Sequence, residues 1–543
     1  MKILTDVLFA KRVFLLVCCF FVLGTSSYAG EARPRHKNTN VIFIGIDTLR
    51  NDHLGCYGYR RKTSKNIDSL AKKAVLFNDF IVQAYLTPVS QMSIFSAQYP
   101  KSNGVVSFQT DSKLVIPPVL PDIFKIYGYT NAAFLGSPEF FRQYQDRDGK
   151  INDPGSIFSR SFDIYQPSRY RVIPDQALTW IKMNKSKKFF LWLPLGTVHW
   201  PYSWRVPEPH KSIFDTKGYE PFFKVGSSFI NNKQAVPAGV LSRIYQGYCY
   251  GDSAVPYKLK KEDVGYIISR YDAGIHYTDQ FIGKLMSVLK ESGLLDRTLI
   301  VLYSVHGEDL GEHGYFSHYD IYDTEVKNAL MIKFPGGKFK GKKIDFQVQG
   351  VNIVPTILDY LDIPAPHESQ GHTLMPLIER GKTEGLSPYA YMIRIPLWED
   401  ALRVSLVEDR LRERGQWITD AEEEFFEKYK TKCIDYYRLH PEDQYPLYDI
   451  GIRTKDWKLI LRRNKAFLEE MSWWGFVSKQ KINIEPQELY DLKKDPYEQV
   501  NVADQHPEIV DQLKKPLLKW DEDMGKRMPK AEEKKDPIII PYP

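Results

Sequence analysis

Three apolar runs in this chain lead into residues that can ligate a cation or move a proton. Asn40-Val-Ile-Phe-Ile-Gly-Ile46 runs into Asp47, Lys188 to Leu195 (KFFLWLPL) is followed by His199, and Thr298-Leu-Ile-Val-Leu-Tyr303 is followed by His306 and Glu308. A carboxylate supplies charge for a hard divalent cation, and an imidazole transfers protons or ligates metal near neutral pH. Thr87 adds a hydroxyl within Thr-Pro-Val-Ser, and His318 a further imidazole within Phe-Ser-His-Tyr. Each also has a plain structural reading. Asp47 can cap a turn, Thr87 can cap the helix that follows it, and a lone histidine is often a satisfied structural or surface residue.

The elements that must position these groups follow from the hydrophobic pattern. The runs at 40–46, 188–195 and 298–303 are short and continuous, as expected for strands buried on both faces of a parallel sheet. Between them, Ile67 to Phe77, Val119 to Ile126, Pro174 to Met183 and Ser269 to Leu289 have helical spacing, and Thr130 to Leu135 reads as another strand. Strands alternating with helices, with polar residues at strand ends, indicate a doubly wound α/β domain whose site lies along the carboxyl edge of the sheet. From about residue 380 the character changes. A charge-rich stretch containing Glu422-Glu423-Glu424 precedes a strand at Trp457 to Leu461 and a helix at Pro507 to Trp520. The expected organisation is a main domain over 38–384, a smaller α+β subdomain over 385–525 and an extended Lys-, Glu- and Pro-rich tail over 526–543.

Lys2, Lys11 and Arg12 precede the apolar run Val13 to Leu23, and Ser27-Tyr28-Ala29 offers small residues where a signal peptidase cuts. Residues 1–29 therefore read as a secretory signal, too short for a bilayer span, which implies a secreted or periplasmic protein without a stable membrane anchor. Removing them takes away three basic residues and one acidic residue, lowering the formal charge from +7 to +5. That balance is weak and its charges are dispersed, so nothing points to nucleic acid. Cys56, Cys249 and Cys433 remain of five cysteines; an odd count at wide spacing is no disulfide framework, and one pair can form without the sequence saying which.

Five collinear stretches resemble the sulfatase family of the alkaline-phosphatase superfamily. They are IGIDTLRNDHLGCYGY (44–59) with TSKNIDSLAKKAVLFNDF (63–80); TPVSQMSIFSAQYPKSNGV (87–105); YDAGIHYTDQFIGKLMSVLKESGLLDRTLIVLYSVHGEDLGEHG (271–314); VNIVPTILDYLDIPAP (351–366) with QGHTLMPLI (370–378); and IRTKDWKLI (452–460) with ELYDLKKDPYEQVNVA (488–503). The resemblance implies a sulfatase/alkaline-phosphatase-like main domain and a divalent metal ion, calcium or another. It implies Asp47 and His306 as metal ligands, and Thr87, His199 and His318 as catalytic or substrate-facing residues. It also implies a sulfated or phosphorylated small molecule or glycan as ligand.

The chain departs from the family pattern where the chemistry is done. The family's nucleophile is a Cys or Ser, oxidised to formylglycine within Cys/Ser-x-Pro-x-Arg. Here Ser93-Ile-Phe-Ser-Ala-Gln-Tyr-Pro100 fixes the register and places Thr87, Val89 and Gln91 at those three positions. Threonine cannot become formylglycine, although it can attack directly if its pKa is lowered. Val305 stands where the family has a metal-ligating Asp, and valine has no lone pair to offer. Two expectations follow. One is a metal-dependent sulfate or phosphate ester hydrolase with a degenerate site; the other is an inactive sulfatase-like pseudoenzyme that binds such a ligand. Trp192, Trp200 and Trp204, near His199, suggest a sugar-stacking wall beside the more ordinary packing role.

Overall fold

The structure, a computed structural model, describes residues 38–106, 117–136, 144–145, 151–152, 158–159, 161–166, 173–200, 202–203, 206–219, 248–249, 257–258, 260–313, 316–394, 448–463 and 486–527. The signal segment 1–29, Trp204, the run Glu422–Glu424, the side chains of Cys249 and Cys433, and residues 528–543 lie outside these.

The strands of the main sheet are β1 (Asn40–Ile46), β2 (Val75–Ile81), β3 (Thr130–Phe134), β4 (Ile164–Gln166), β5 (Phe189–Leu195), β6 (Thr298–Ser304), β7 (Lys327–Lys333), β8 (Lys343–Ile344) and β9 (Val348–Gln349). Their order across it is β8-β2-β7-β6-β1-β5-β3-β4, with β9 also on β2. The central strand β1 pairs in parallel with β6 and with β5, whereas β7 runs antiparallel to both β6 and β2. The sheet is thus mixed rather than purely parallel. Continuous apolar runs report that both faces are covered and carry no information about strand direction.

Side chains alternate between two apolar clusters, as the pleat requires. Val41, Phe43, Val301 and Tyr303 join the cluster on one face, and Ile42, Ile44, Ile300 and Leu302 the cluster on the other. The first cluster includes residues of α2 (Thr87–Ser96), α3 (Leu120–Ile126) and α6 (Ile353–Tyr360). The second includes residues of α1 (Lys65–Ala71), α4 (Gln176–Met183) and the long α5 (Lys261–Glu291). Each fully buried Ile, Val or Phe contributes about 1.5–3 kcal/mol, so the positions of the strand ends are firmly set.

Two sequence expectations change. The helical spacing over Ile67 to Phe77 divides: α1 stops at Ala71, and Val75, Leu76 and Phe77 open β2 with all three buried. Three consecutive apolar residues fit a strand covered on both faces as well as they fit a helix stripe. Helix α5 starts at Lys261 rather than Ser269, and Asp263 in its first turn accepts a hydrogen bond from the Lys260 amide at 2.7 Å. A polar, acid-bearing first turn satisfies the helix start without extending the apolar stripe.

Beyond the main sheet, β10 (Ala390–Arg394), β11 (Asp449–Arg453), β12 (Trp457–Leu461) and β13 (Gln487–Asp491) form an antiparallel sheet in that order. Helix α7 (Pro507–Lys526) packs on it, with Trp520 stacked on Tyr391 at 4.9 Å between ring centroids. The Ile393 amide donates to Gln83 O at 2.9 Å, tying this sheet to the loop after β2.

Candidate active site

The carboxyl ends of β1 and β6 lie side by side, so the residues after them meet. The Asp47 amide donates to Leu195 O (2.8 Å) and the Val305 amide to Ile46 O (3.1 Å), extending the ladders by one residue past each strand. Thr48 then turns the chain at φ 57°, a left-handed conformation costly for a β-branched residue. Tyr271 of α5 holds that turn: its hydroxyl donates to Thr48 O at 2.6 Å and accepts from the Arg50 amide at 2.8 Å.

Thr87 is the first residue of α2, with Leu86 at the cap position and no side-chain cap bond. Its hydroxyl turns into the site and donates to Asp47 Oδ1 at 3.2 Å, with His306 Nε2 2.9 Å away. The simple helix-capping role open to Thr87 is therefore not the one it takes. His306 Nε2 is also 3.1 Å from Asp47 Oδ1, and its Nδ1 lies 2.9 Å from Gly307 O, to which it donates. Burial alone disfavours the imidazolium, but the hydrogen bond and charge of Asp47 outweigh it and raise the pKa of His306 above the usual 6.5.

The loop carrying His306 is fixed from behind. The Gly307 and Glu308 amides donate to Glu325 O (2.6 Å) and Thr324 O (3.0 Å). A Cβ on Gly307 would lie 2.1 Å from Thr324 O, so only glycine permits that approach. Glu308 is fully buried. Tyr202 donates to its Oε1 at 3.0 Å, and its Oε2 is 3.4 Å from His318 Nδ1. Burial pushes the Glu308 carboxyl up to about 8, so near neutrality it is mostly uncharged.

His318 links the remaining imidazoles. Its ring centroid is 4.4 Å from that of His306 and 4.9 Å from that of His199. His199 Nδ1 donates to Trp200 O at 2.6 Å, which sets the tautomer of its neutral form. The structure thus brings Asp47, Thr87 and His306 into direct contact, with His318 and His199 extending from them in a row. Glu308 stood in the sequence as a group able to ligate a cation or move a proton; Tyr271 and Arg50 carried no signal beyond their places in the matching stretches, and Tyr202 lies outside them. His313 faces elsewhere: it pairs with Asp309 at 2.5 Å and stacks on Tyr322 at 3.8 Å. Gln91 accepts from Tyr303 in the core (2.9 Å). Trp192 is fully buried, 4.9 Å from the Phe95 ring and 5.7 Å from that of Phe158, so it packs the core and forms no sugar wall. Asn352 has a structural place, accepting from the Gln349 amide (2.8 Å) and donating to His372 O (3.0 Å).

The donor set can be tested against a divalent cation. Asp47 Oδ2 is buried without a hydrogen-bond partner, which suits a ligand atom. Against it, Val305 is fully buried within an apolar cluster, and Asp309 is engaged by His313. Among the described residues no group of three or more His, Cys, Asp or Glu side chains is arranged to hold a metal ion. One carboxylate and one imidazole fall short of the oxygen-rich cage that calcium requires.

The Sulfatase family model matches residues 39–363. The chain is 22% identical over 542 residues to an N-acetylglucosamine-6-O-sulfatase of Bacteroides thetaiotaomicron, covering 88% of this chain and 85% of that one. It is 24% identical over 425 residues to a sulfatase of Formosa agariphila, covering 69% and 79%. Its fold resembles that of a protein solved in complex with its substrate D-glucosamine-2-N,6-O-disulfate (TM-score 0.59, 18% identity, 91% of this chain and 100% of that one). It also resembles the phosphonate monoester hydrolase of Agrobacterium radiobacter (TM-score 0.58, 19% identity, 90% and 96%). Members of this group are generally metal-dependent. With the family model spanning more than half of the chain, over the α/β sheet and over Asp47, Thr87 and His306, this protein belongs to the sulfatase family.

Proposed function

We propose that this protein is an exported ester hydrolase in which Thr87 attacks directly, in place of the formylglycine route. The observation that carries the reading is the Thr87 hydroxyl, which leaves the helix cap to meet Asp47 Oδ1 (3.2 Å) and His306 Nε2 (2.9 Å). A nucleophile in hydrogen-bond reach of a base and a cationic donor is the arrangement direct attack needs. Asp47 receives the Thr87 proton as Oγ1 bonds to the sulfur or phosphorus of the ester. His306, held as imidazolium, donates from Nε2 to the developing alkoxide, and the N-terminus of α2 adds its positive end. The ester's alkoxide leaves and takes a proton from the His318–His199 pair. Water then cleaves the Thr87 ester, releasing sulfate or phosphate and restoring the hydroxyl. A metal ion, where bound, would need His306 as the neutral imidazole and would itself supply the positive charge at Asp47 and His306 in place of the imidazolium.

The substrate class we infer is a sulfated or phosphorylated glycan or small molecule. The sulfated-sugar ligand of the structural neighbour and the half-buried Trp200 beside His199 support it. Export rests on the signal-like residues 1–29; among the described residues no helix is long and apolar enough to cross a membrane. A second reading, a pseudoenzyme that binds such a ligand without turnover, is favoured by Val305 at the family's Asp position. A screen of aryl sulfate, phosphomonoester and phosphodiester substrates across several divalent metals, with metal analysis of the purified protein, decides between them. Turnover of any one supports the hydrolase. Retained sulfate or sugar binding with no turnover supports the pseudoenzyme.

A further inference from the structure

Behind the histidines, the segment Tyr319 to Glu325 lies across one face of the C-terminal sheet. The cross-strand pairs Arg394–Asp449, Met392–Gly451 and Ala390–Arg453 put Arg394, Gly451 and Arg453 on that same face. At one end Arg453 grips Asp323, Nε to Oδ1 at 2.9 Å and NH2 to Oδ2 at 2.8 Å, and Lys458 Nζ reaches Asp323 Oδ1 at 3.0 Å. At the other, Arg394 Nε donates to Tyr319 O at 2.9 Å, and Arg462 donates to Asp320 Oδ1 at 2.7 Å. Between them Ile321 sits over Gly451, where a Cβ would come within 2.9 Å of Ile321 Cδ1.

Both ends of the segment lead to the site. Asp323 opens the short helix Asp323–Val326, whose Thr324 and Glu325 carbonyls receive the Glu308 and Gly307 amides. Tyr319 follows His318 directly. The side chains of Arg453 and Arg394 are 2% and 7% exposed, so neither can meet a substrate.

We propose that Arg453 and Arg394 are positioning residues of the active site, holding His306 and His318 in place from the C-terminal sheet. Buried ion pairs contribute little net stability compared with apolar packing, but a guanidinium fork fixes the direction of its partner as an apolar side chain does not. The small sheet is then part of the catalytic machinery rather than an appended unit. The kinetic consequence rests on the hydrolase reading; the positional claim does not.

Amide hydrogen exchange on the full chain tests it, using Arg453→Met, Arg453→Lys, Arg394→Met and Gly451→Ala, with turnover of an aryl sulfate and an aryl phosphate measured alongside. We expect Arg453→Met and Gly451→Ala to speed exchange of the Gly307 and Glu308 amides about tenfold while the Val305 amide, bonded to Ile46 in the main sheet, keeps its rate. Arg453→Lys should restore part of the protection. In turnover, kcat should fall with KM little changed, for Arg394→Met as well as Arg453→Met. Wild-type exchange at Gly307 and Glu308 in both variants overturns the proposal, and so does an equal rise at Val305, which marks general loosening. Should Arg453→Met not fold, Gly451→Ala disturbs the same segment without removing a charge. A parent protein that turns over neither ester counts against the hydrolase alone, because exchange needs no turnover.

Discussion

Thr87 Oγ1 stands 2.9 Å from His306 Nε2, the first residue of one helix against the loop after a strand 219 positions along the chain. That contact brings a hydroxyl and an imidazole together without any group from outside the protein, and Asp47 bridges both. On the proposed reading, threonine at position 87 takes the place of the residue that the formylglycine route would need. What the same fold keeps is a hydroxyl at the head of a helix, where developing negative charge is favoured.

If Thr87 is the nucleophile, Thr87→Ala should lower turnover of an aryl sulfate or phosphate by roughly a thousandfold or more, whereas Thr87→Ser retains most of it. Steady-state rates on the purified variants check this. Full activity of the alanine variant removes Thr87 from the chemistry.

Val305→Asp places a second carboxylate beside His306. Divalent-metal affinity should rise by about tenfold or more, read by calorimetry or by metal-dependent melting. Without metal the buried carboxylate should cost about 3 kcal/mol of stability. An unchanged affinity means that the residue 305 side chain does not face Asp47 and Thr87.

Gly307→Ala drives a methyl group to 2.1 Å from Thr324 O. The loop must shift, so we expect about 2–4 kcal/mol of lost stability in denaturant unfolding. Turnover should fall too, because His306 moves with its neighbour. Unchanged stability would show that the segment after Asp323 gives way easily.

Lys333 is buried, with Nζ donating to Leu295 O and to Thr298 O (3.1 Å), and burial lowers its pKa from the usual 10.5 to about 8. A lowered amine pKa favours the neutral form in the fold. The stability it allows is complete above 10.5, and is lost as pH falls toward 8 and the unfolded chain alone takes up the proton. The parent protein should therefore gain about 3 kcal/mol relative to Lys333→Met between those two pH values. Equal pH slopes for the two proteins would refute the shift.

The sequence alone determined where the buried strands end and which residue types follow them. Continuous apolar runs at β1, β5 and β6 can only be strands or short buried helices, and the polar residues after them mark an edge. Those runs point to Asp47, His199 and His306, whereas Thr87 and His318 were named through the resemblance to the sulfatase family. Only the tertiary structure decided that Thr87 points at His306 instead of capping its helix, that β7 and β2 run antiparallel, and that Trp192 packs the core. It also decided that Arg453 and Arg394 stand behind the two histidines. Side-chain period reports how much of a residue is covered, and is silent on what covers it. Contacts between residues more than two hundred positions apart depend on the register and direction of strands, which no local pattern encodes.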